Sequence, residues 1–234
     1  MKVVILAGGR GSRISEESKY RPKPMVKIGN EPIIWHIIKY YESFGFKEFI
    51  ICAGYKKETI TKYFRSKKLS CKINVVDTGL NTMTGGRIKR IKKYLDKEDN
   101  FLMTYGDGLS NINLKKVIDL HLMRKKIITL SAVKPNSKYG IIKFSKKNKN
   151  KVLFFEEKPK SHYINGGFFV ISKKIFKFIK NDKDIFEFDC ITKLSKINEV
   201  VGYKHNGFWQ CLDTMRDKED LNKLWKKNPE WKKW

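Results

Sequence analysis

The stretch KVVILAGGRGSRISEESKYRPKPM, Lys2–Met25, joins an apolar run to a glycine-rich loop and two cations. The run Val3–Leu6 is mostly β-branched, which is typical of a short buried strand. Glycines at positions 8, 9 and 11 follow at once, so backbone amides can approach a ligand closely. Arg13 lies in this loop, and Lys23 follows between two prolines. A strand end, a glycine loop and two cations together predict a polyphosphate-binding site.

Strand-like and helical patterns alternate through the rest of the first half. Apolar runs predict strands at Phe49–Ala53, Ile73–Val76, Phe101–Thr104 and Ile127–Val133. Apolar residues at helical spacing predict helices at Pro32–Gly45, Lys57–Phe64, Gly85–Leu95 and Asn113–Lys125. This alternation indicates an α/β fold of Rossmann-like type, with a mixed, mainly parallel sheet flanked by helices.

The second half has a different pattern. Closely spaced strands at Tyr139–Phe144, Val152–Phe155 and Ile164–Val170 predict a smaller antiparallel extension of the sheet. Further helices are expected near Lys173–Ile179, Phe188–Ile197 and Arg216–Lys227, with a strand near Val201–His205. Because no linker is long enough to require a boundary, we expect a single domain over residues 1–234.

Asp107 follows the predicted strand Phe101–Thr104, just as the glycine loop follows the first strand. In parallel sheets, ligands bind beyond the carboxyl ends of the strands. We therefore expect Asp107 and the glycine loop to face one crevice.

The chain is strongly basic, with a formal net charge of +27. Nucleic acid is one explanation of such a charge. However, only eight of the 51 basic residues are arginines, and the lysines are spread along the whole chain. Proteins that recognise bases in a groove favour arginine. The composition therefore predicts a solvated lysine surface and no nucleic-acid partner, with a field that favours a small polyanionic substrate.

The sequence also indicates the cellular compartment of the protein. No apolar run approaches the roughly 20 residues that span a bilayer, and the pattern of a signal peptide is missing from the first residues. The four cysteines are scattered, without a CxxC pair, as expected of reduced thiols. We therefore expect a cytoplasmic protein with no membrane partner.

The glycine loop fits one kind of phosphate site better than two others. It is not a Walker A loop, because no lysine and hydroxyl residue follow in the required spacing. It departs from the dinucleotide fingerprint too, because Ile14 lies where the third glycine should be. A nucleoside triphosphate held by loop amides, with Arg13 and Lys23 on its phosphates, is the remaining interpretation.

Several motifs occur in order along nearly the whole chain. The first two are LAGGRGSR at Leu6–Arg13 and PKPM at Pro22–Met25. The others are Glu31–His36, Asp77–Gly79, Thr82–Arg87, Tyr105–Gly108, Tyr139–Gly140, Glu156–Pro159, Ile164–Phe169, Gly207–Gln210 and Leu212–Thr214. This set resembles the sugar-phosphate nucleotidyltransferases, and within them most the glucose-1-phosphate cytidylyltransferases. The resemblance implies the nucleotide-diphospho-sugar transferase type of sheet.

The resemblance also implies roles for residues. Arg13, Lys23, Asp107 and Asp213 would be catalytic, and the two aspartates would hold Mg²⁺. The nucleotide would contact Leu6, Ala7, Gly8, Gly9, Gly11, Ser12, Arg13, Lys23, Thr82, Thr84, Gly85, Gly86, Gly106 and Asp107. The acceptor would contact Tyr139, Gly140, Glu157, Lys158, Asn165, Gly166 and Trp209. Residues 1–135 would thus form the nucleotide-binding part, and residues 136–234 the acceptor-binding and C-terminal part.

The implied reaction joins CTP to a phosphorylated small molecule and releases pyrophosphate. A phosphate monoester has a second pKa of about 6, so at neutral pH it is a nucleophile without a general base. The obstacle is charge repulsion, which cations and a metal ion reduce while the site fixes the line of attack. One or two carboxylates with substrate oxygens suit Mg²⁺.

Some alternatives stay open. Asp213 could instead cap the following helix, and Trp209 could belong to the core or to the pocket. Ser12 replaces a threonine that is usual in the family. Only twelve residues separate Phe64 from Asp77, where cytidylyltransferases of this kind have a longer segment. This shortening leaves open whether the protein forms homo-oligomers. It also leaves open the identity of the acceptor, which is glucose 1-phosphate by default or a non-sugar phosphate such as phosphoglutamine. A basic nucleic-acid-binding protein and an NAD(P)-dependent oxidoreductase are the alternatives of other classes.

Overall fold

The computed structural model describes residues 1–135, 140–157 and 162–234. Its strands are β1 (Val3–Ala7), β2 (Lys27–Ile28), β3 (Glu31–Pro32), β4 (Glu48–Ala53), β5 (Lys72–Asp77), β6 (Asn100–Tyr105), β7 (Gly108–Ser110), β8 (Ile128–Val133), β9 (Ile141–Phe144), β10 (Val152–Glu156), β11 (Ile164–Ser172), β12 (Val200–His205) and β13 (Trp209–Cys211). Its α-helices are α1 (Ser15–Ser18), α2 (Ile33–Glu42), α3 (Lys57–Ser66), α4 (Thr84–Arg90), α5 (Leu114–Arg124), α6 (Thr192–Lys196) and α7 (Met215–Trp225). Short 3₁₀ turns lie at Ser12–Ile14, Lys23–Met25, Lys92–Tyr94 and Lys173–Lys177, and a π-helical segment lies at Phe186–Ile191.

A seven-stranded sheet in the order β12-β8-β11-β6-β1-β4-β5 organises the protein. The pairs β1–β4, β1–β6, β4–β5 and β12–β8 are parallel, while β11 is antiparallel to both of its neighbours. Six strands therefore run in one direction and β11 in the other. This architecture confirms the predicted α/β fold with a mainly parallel sheet.

The antiparallel strands of the second half differ in position from the sequence prediction. β9 and β10 form a separate hairpin outside the main sheet, as an extension should. β11, however, lies inside the main sheet between β6 and β8. The reason is its burial: residues 166–171 are buried without interruption, which is typical of a central strand covered on both faces. Tyr139, the predicted start of the extension, lies outside the described residues.

The two faces of the sheet carry separate apolar cores. Alternate residues of β1 point to opposite faces, so Ile5 belongs to one core and Val4 to the other. On the Ile5 face, α2, α5 and α7 pack against the sheet. The other face is covered by α4, α6 and the π-helical segment. No helix within the described ranges has both the length and the apolar character needed to cross a membrane.

Arg87 fixes the loop that follows β1. Its side chain is buried, with only 4% of the residue exposed. The guanidinium donates to the carbonyl oxygens of Gly8 at 3.0 Å, Gly79 at 2.8 Å and Ala53 at 3.3 Å, and to the hydroxyl of Thr78 at 2.7 Å. Buried charges are costly unless they are well hydrogen-bonded, and here three carbonyl dipoles and a hydroxyl supply the compensation. One cation thus joins the carboxyl ends of β1, β4 and β5.

Substitution of Gly8 by alanine should break this arrangement. A Cβ atom at Gly8 would lie 2.1 Å from Nη1 of Arg87, so the guanidinium would have to leave its acceptors. We expect Gly8→Ala to lower the free energy of unfolding by about 1–3 kcal/mol, the usual cost of overpacking a tightly packed site. Chemical denaturation of the ligand-free protein measures this difference.

Gly9 provides the matched control, because a Cβ atom there meets no atom within 4 Å and its φ is not positive. Gly9→Ala should change the free energy of unfolding by less than about 0.5 kcal/mol. Equal effects of the two substitutions would show that Arg87 does not determine the loop.

Candidate active site

A cleft of about 630 Å³ opens at the carboxyl ends of the parallel strands. Of the predicted site residues, it is lined by Leu6, Ala7, Gly8, Gly9, Gly11, Arg13, Lys23, Thr82, Thr84, Gly106, Asp107, Asn165, Gly166, Trp209 and Asp213. Residues of the two predicted parts of the chain therefore meet in one cavity. A second cavity, of about 650 Å³, lies beside α3, and none of the predicted site residues that the structure describes line it.

Two cations and two carboxylates form a cluster in this cleft. The ammonium of Lys23 lies 2.6 Å from Oδ2 of Asp107 and 2.5 Å from Oδ1 of Asp213. Nη1 of Arg13 lies 2.9 Å from the other oxygen of Asp213, Oδ2. All four residues predicted to be catalytic are thus joined by ion pairs.

Burial and neighbouring charges shift the pKa values of Lys23 and Asp213 in opposite directions. Burial alone would raise the pKa of Asp213, but the hydrogen bond and charge of Lys23, with the charge of Arg13, bring that pKa below its ordinary value. Burial alone would lower the pKa of Lys23, but the nearby carboxylates of Asp107 and Asp213 raise it. Both groups are therefore ionised at neutral pH.

Local backbone structure brings the two aspartates together. β13 pairs with β7, and beyond this pair the amide of Leu212 donates to the carbonyl oxygen of Asp107 at 2.9 Å. Asp213, the residue after Leu212, therefore lies beside Asp107 in space. The residue that caps α7 is Thr214, which forms a capping box with Asp217. Asp213 is thus not needed as the helix cap, and its carboxylate faces the cleft.

Glycine is required next to the cluster for steric reasons. A Cβ atom at Gly106 would lie 2.9 Å from the ring of Pro24 and 3.1 Å from the carbonyl oxygen of Leu6. The 3₁₀ turn that carries Lys23 therefore packs directly on the backbone before Asp107. This close contact sets the short distance between the ammonium and the carboxylates.

The segment Thr82–Gly86, which is expected to contact the nucleotide, is divided between cleft and core. Thr82 and Thr84 line the cleft. Gly85 and Gly86 do not line it, because they pack against the backbone of Asp184 and Asp182. Their amides donate to the carbonyl oxygen of Asp184 at 2.9 and 3.3 Å, which holds the beginning of α4. Ser12, also expected at the nucleotide, is likewise absent from the cleft lining.

The residues expected at the acceptor are divided in a similar way. Asn165, Gly166 and Trp209 line the cleft, and the indole N–H of Trp209 donates to the carbonyl oxygen of Gly166 at 2.7 Å. Gly140 and Glu157 lie close together, since a Cβ atom at Gly140 would be 3.0 Å from Oε2 of Glu157, but neither lines the cleft. The remaining two, Tyr139 and Lys158, lie outside the described residues.

Five further residues that carry polar groups line the cleft without having been assigned a role from the sequence. They are Arg87, Thr104, Tyr105, Glu187 and Cys211. Arg87 and Tyr105 lie inside motifs that carry the family resemblance, so a signal was present for them. Glu187 lies in no such motif. Cys211 donates to Oδ2 of Asp213 at 3.4 Å, and burial, with the charges of Asp213 and Asp107, raises its pKa to about 12.

Known proteins resemble this chain over its full length. A glucose-1-phosphate cytidylyltransferase of Salmonella typhimurium is 40% identical over 259 aligned positions that cover 100% of both chains. A probable glucose-1-phosphate cytidylyltransferase of Bacillus subtilis is 37% identical over 257 positions, again with 100% of both chains covered. The crystal structure of HddC from Yersinia pseudotuberculosis complexed with GMP-PN superimposes with a TM-score of 0.76 at 26% identity, covering 96% of this chain and 99% of that chain.

The sequence profile of the nucleotidyl transferase family matches residues 2–226, which is nearly the whole chain. This match agrees with the relatives and with the position of the cleft at the carboxyl ends of the strands. The chain belongs to the nucleotidyl transferase family and is a nucleotidyltransferase.

Proposed function

We propose that the protein is a Mg²⁺-dependent cytidylyltransferase that joins CTP to a phosphorylated small molecule, with glucose 1-phosphate as the first candidate. The products are a CDP-linked molecule and pyrophosphate. The observation that carries this proposal is the cluster of Lys23, Arg13, Asp107 and Asp213 in the cleft. The choice of CTP and of a sugar phosphate is supported by the relatives named as cytidylyltransferases.

The residues of the cluster suit a direct transfer. An acceptor phosphate oxygen forms a bond to the α-phosphorus of CTP while the bond from that phosphorus to the bridging oxygen of pyrophosphate breaks. Pyrophosphate leaves with the electron pair of that bond. Lys23 and Arg13 are the cations able to move from the carboxylates to the phosphate oxygens, where they offset the charge that opposes approach. No general base is needed, because the acceptor phosphate is already ionised.

The two aspartates fit a divalent cation. One oxygen of Asp107 and one of Asp213 lie within 2.6 Å of the same ammonium, so they converge on one point, as two ligands of a metal ion must. Mg²⁺ is usually held by one or two carboxylates together with phosphate oxygens and water. In this position it would neutralise phosphate charge and orient the reacting groups. Asp107 and Asp213 are therefore the proposed metal ligands.

The acceptor is less narrowly defined than the reaction. Only residues 67–71 connect α3 to β5, so the segment between Phe64 and Asp77 is short. The cytidylyltransferase alignments extend over 259 and 257 positions, more than the 234 residues of this chain, so the chain lacks residues that these relatives have. A non-sugar phosphate such as phosphoglutamine is therefore the second candidate acceptor.

The proposal also covers the domain organisation of the chain and its cellular compartment. Residues 1–135 would bind the nucleotide, and residues 136–234 would bind the acceptor, within one domain over residues 1–234. One sheet contains strands of both parts, which supports a single domain. All four cysteines, which fall in the described ranges, are free, and this supports a reducing compartment such as the cytoplasm.

Homo-oligomers are also part of the proposal. The β9–β10 hairpin exposes apolar side chains, among them Leu153 at 56% and Phe155 at 60% exposure. Contiguous apolar surface of this kind marks interaction sites. Sedimentation velocity at several protein concentrations should therefore show a species larger than the 27.6 kDa monomer. A single monomeric species would contradict the proposed homo-oligomer.

The proposed reaction can be tested with a matrix of substrates. The four ribonucleoside triphosphates and dTTP are each combined with glucose 1-phosphate, other sugar 1-phosphates and phosphoglutamine, in the presence of Mg²⁺. We expect pyrophosphate release with CTP and one acceptor, and loss of release when EDTA is added. Release with UTP or dTTP but not CTP would contradict the cytidylyl assignment. No release in any combination, together with salt-dependent binding to duplex DNA, would favour the nucleic-acid alternative.

The metal proposal has a test that does not depend on turnover. Because Lys23 lies between Asp107 and Asp213, Mn²⁺ should bind the free protein weakly and at least about tenfold more tightly when CTP draws the ammonium away. Electron paramagnetic resonance measures free Mn²⁺ in both states. Lys23→Met should strengthen Mn²⁺ binding to the nucleotide-free protein while it abolishes transfer. Asp107→Asn and Asp213→Asn should weaken Mn²⁺ binding and largely abolish transfer. Unchanged Mn²⁺ binding in either asparagine variant would remove that residue from the metal site.

A further inference from the structure

β5 is an edge strand of the seven-stranded sheet, and one side of its backbone is unpaired. Among the described strands, β4 is its only neighbour. The amide of Lys72 donates toward β4, to the carbonyl oxygen of Lys47 at 2.8 Å. Because the N–H and C=O groups of successive strand residues point to opposite sides, those of Ile73 and Val75 point away from the sheet. Such a row of free donors and acceptors can pair with another extended chain.

A cavity of about 650 Å³ lies along this edge on the side of α3. Val75 lines it together with the cations Lys57, Lys62 and Arg65. Lys57 is paired with Asp77, whereas neither Lys62 nor Arg65 forms an ion pair with a described residue. Long basic side chains cover apolar groups with their methylene stems while their charges stay in water. The cavity therefore suits an apolar side chain on a segment that also carries negative charge.

The opposite face of the same edge has a second cavity, of about 380 Å³. Side chains of a strand alternate between the two faces, so Lys72 and Asn74 line this cavity while Val75 lines the first. Lys93 and Lys97 also line it. None of these three lysines forms an ion pair with a described residue. Carboxylates on a chain that pairs with β5 would therefore meet three free ammonium groups on this face.

Cations outnumber carboxylates around the edge. The two cavities together are lined by seven lysines and arginines and by four carboxylates, which are Glu48, Glu58, Asp77 and Asp96. Asp77 pairs with Lys57 and Glu48 pairs with Lys2, which leaves five cations against two carboxylates. The formal net charge of +27 adds to a field of the same sign. A field of this kind attracts a negatively charged segment.

The lysines determine which kind of chain can pair with this edge. A second copy of the protein would bring its own Lys72 to the same boundary, and like charges at an edge oppose pairing. An acidic chain reverses this effect, because each of its carboxylates offsets a free ammonium. Pairing with the backbone of β5 also requires an extended polypeptide, which neither a nucleic acid nor a lipid surface provides.

We propose that the free edge of β5 binds an extended acidic segment of a partner protein, which adds to the sheet as a further strand. In this segment, apolar side chains that face α3 alternate with carboxylates that face Lys72, Lys93 and Lys97. No described residue that lines the two cavities also lines the active-site cleft. The docking site is therefore separate from the transferase chemistry and does not depend on it.

The test uses the full-length protein and fluorescently labelled peptides, with binding measured by fluorescence anisotropy. The probe is Glu-Val-Glu-Val-Glu-Val-Glu, whose alternation matches the two faces of the edge. One comparison peptide has the same composition in two blocks, and another has lysine in place of each glutamate. We expect both to bind at least about tenfold more weakly than the probe. The affinity of the probe should fall as salt screens the exposed charges.

Two N-methylated forms of the probe test backbone pairing without any change in the protein. In a strand paired on one side, only the amides of alternate residues face the neighbour. Methylation of all valine amides, or of all glutamate amides, therefore blocks pairing in one peptide and leaves it possible in the other. We expect the two affinities to differ by at least about tenfold. Equal affinities would show attraction by charge without β pairing and would overturn the proposal.

Lys72→Glu tests the position of the docking site. It should weaken binding of the probe at least about tenfold and leave pyrophosphate release unchanged. Lys115→Glu is the matched control, because it changes the net charge equally and Lys115 is exposed on α5, which packs on β8 and β11. The control should change the affinity by less than about twofold. If Lys72→Glu fails to fold, the two N-methylated peptides still decide the question with wild-type protein.

The remaining outcomes separate the docking site from the alternatives and from the proposed function. No binding of the probe, or equal losses in Lys72→Glu and Lys115→Glu, would overturn the proposal. Preference for a short oligothymidylate over the probe, lost in Lys72→Glu, would assign these lysines to nucleic acid and would also overturn it. Edge-dependent binding of the probe by a protein that releases no pyrophosphate would support the docking site and contradict the transferase function.

Discussion

The ammonium of Lys23, held between Asp107 and Asp213, joins three distant parts of the chain. One is the turn after the glycine loop, the second is the end of β6, and the third is the segment after β13. Lys23 is buried, with 8% of the residue exposed, so its charge is stabilised by these carboxylates and little by water. Removing one partner of such a group leaves a buried charge without compensation, which typically destabilises a protein by about 3–5 kcal/mol. The cleft is therefore held in shape by the same charges that we propose for its chemistry.

This arrangement also explains how a balanced cluster can accept a polyanion. In the ligand-free protein the cations neutralise the aspartates. In the reaction that we propose, phosphate oxygens compete for Lys23 and Arg13, and the aspartates are then free for a divalent cation. Each charge would exchange one partner for another, so no carboxylate or ammonium of the cluster would be left unpaired in a partly dry cleft. Nucleotide and metal binding would therefore be coupled, because each removes the obstacle to the other.

Sequence reasoning predicted positions correctly where they depend on following the end of a strand, and failed where they depend on contacts between distant side chains. Asp107 and the glycine loop were predicted to share a crevice because both follow strands, and the cleft contains them. The central position of β11 could not be predicted, since an apolar run fits an edge extension and a central strand equally well. Glu187 was missed because its position in the cleft is fixed by Thr84 and Tyr105, which lie 103 and 82 residues away in the chain.

The reversed direction of β11 determines how the second half of the chain reaches the cleft. In a wholly parallel sheet, a strand contributes to this edge only through the residues that follow it. Because β11 is antiparallel to β6 and β8, its first residues, Asn165 and Gly166, lie at the same edge as the last residues of β6. Gly166 then accepts from Trp209, which precedes the segment that ends at Asp213. One reversed strand thus brings the proposed acceptor-binding residues to the same edge as the proposed metal ligands without a further crossover helix, and Phe186, which precedes Glu187, packs on its Phe169.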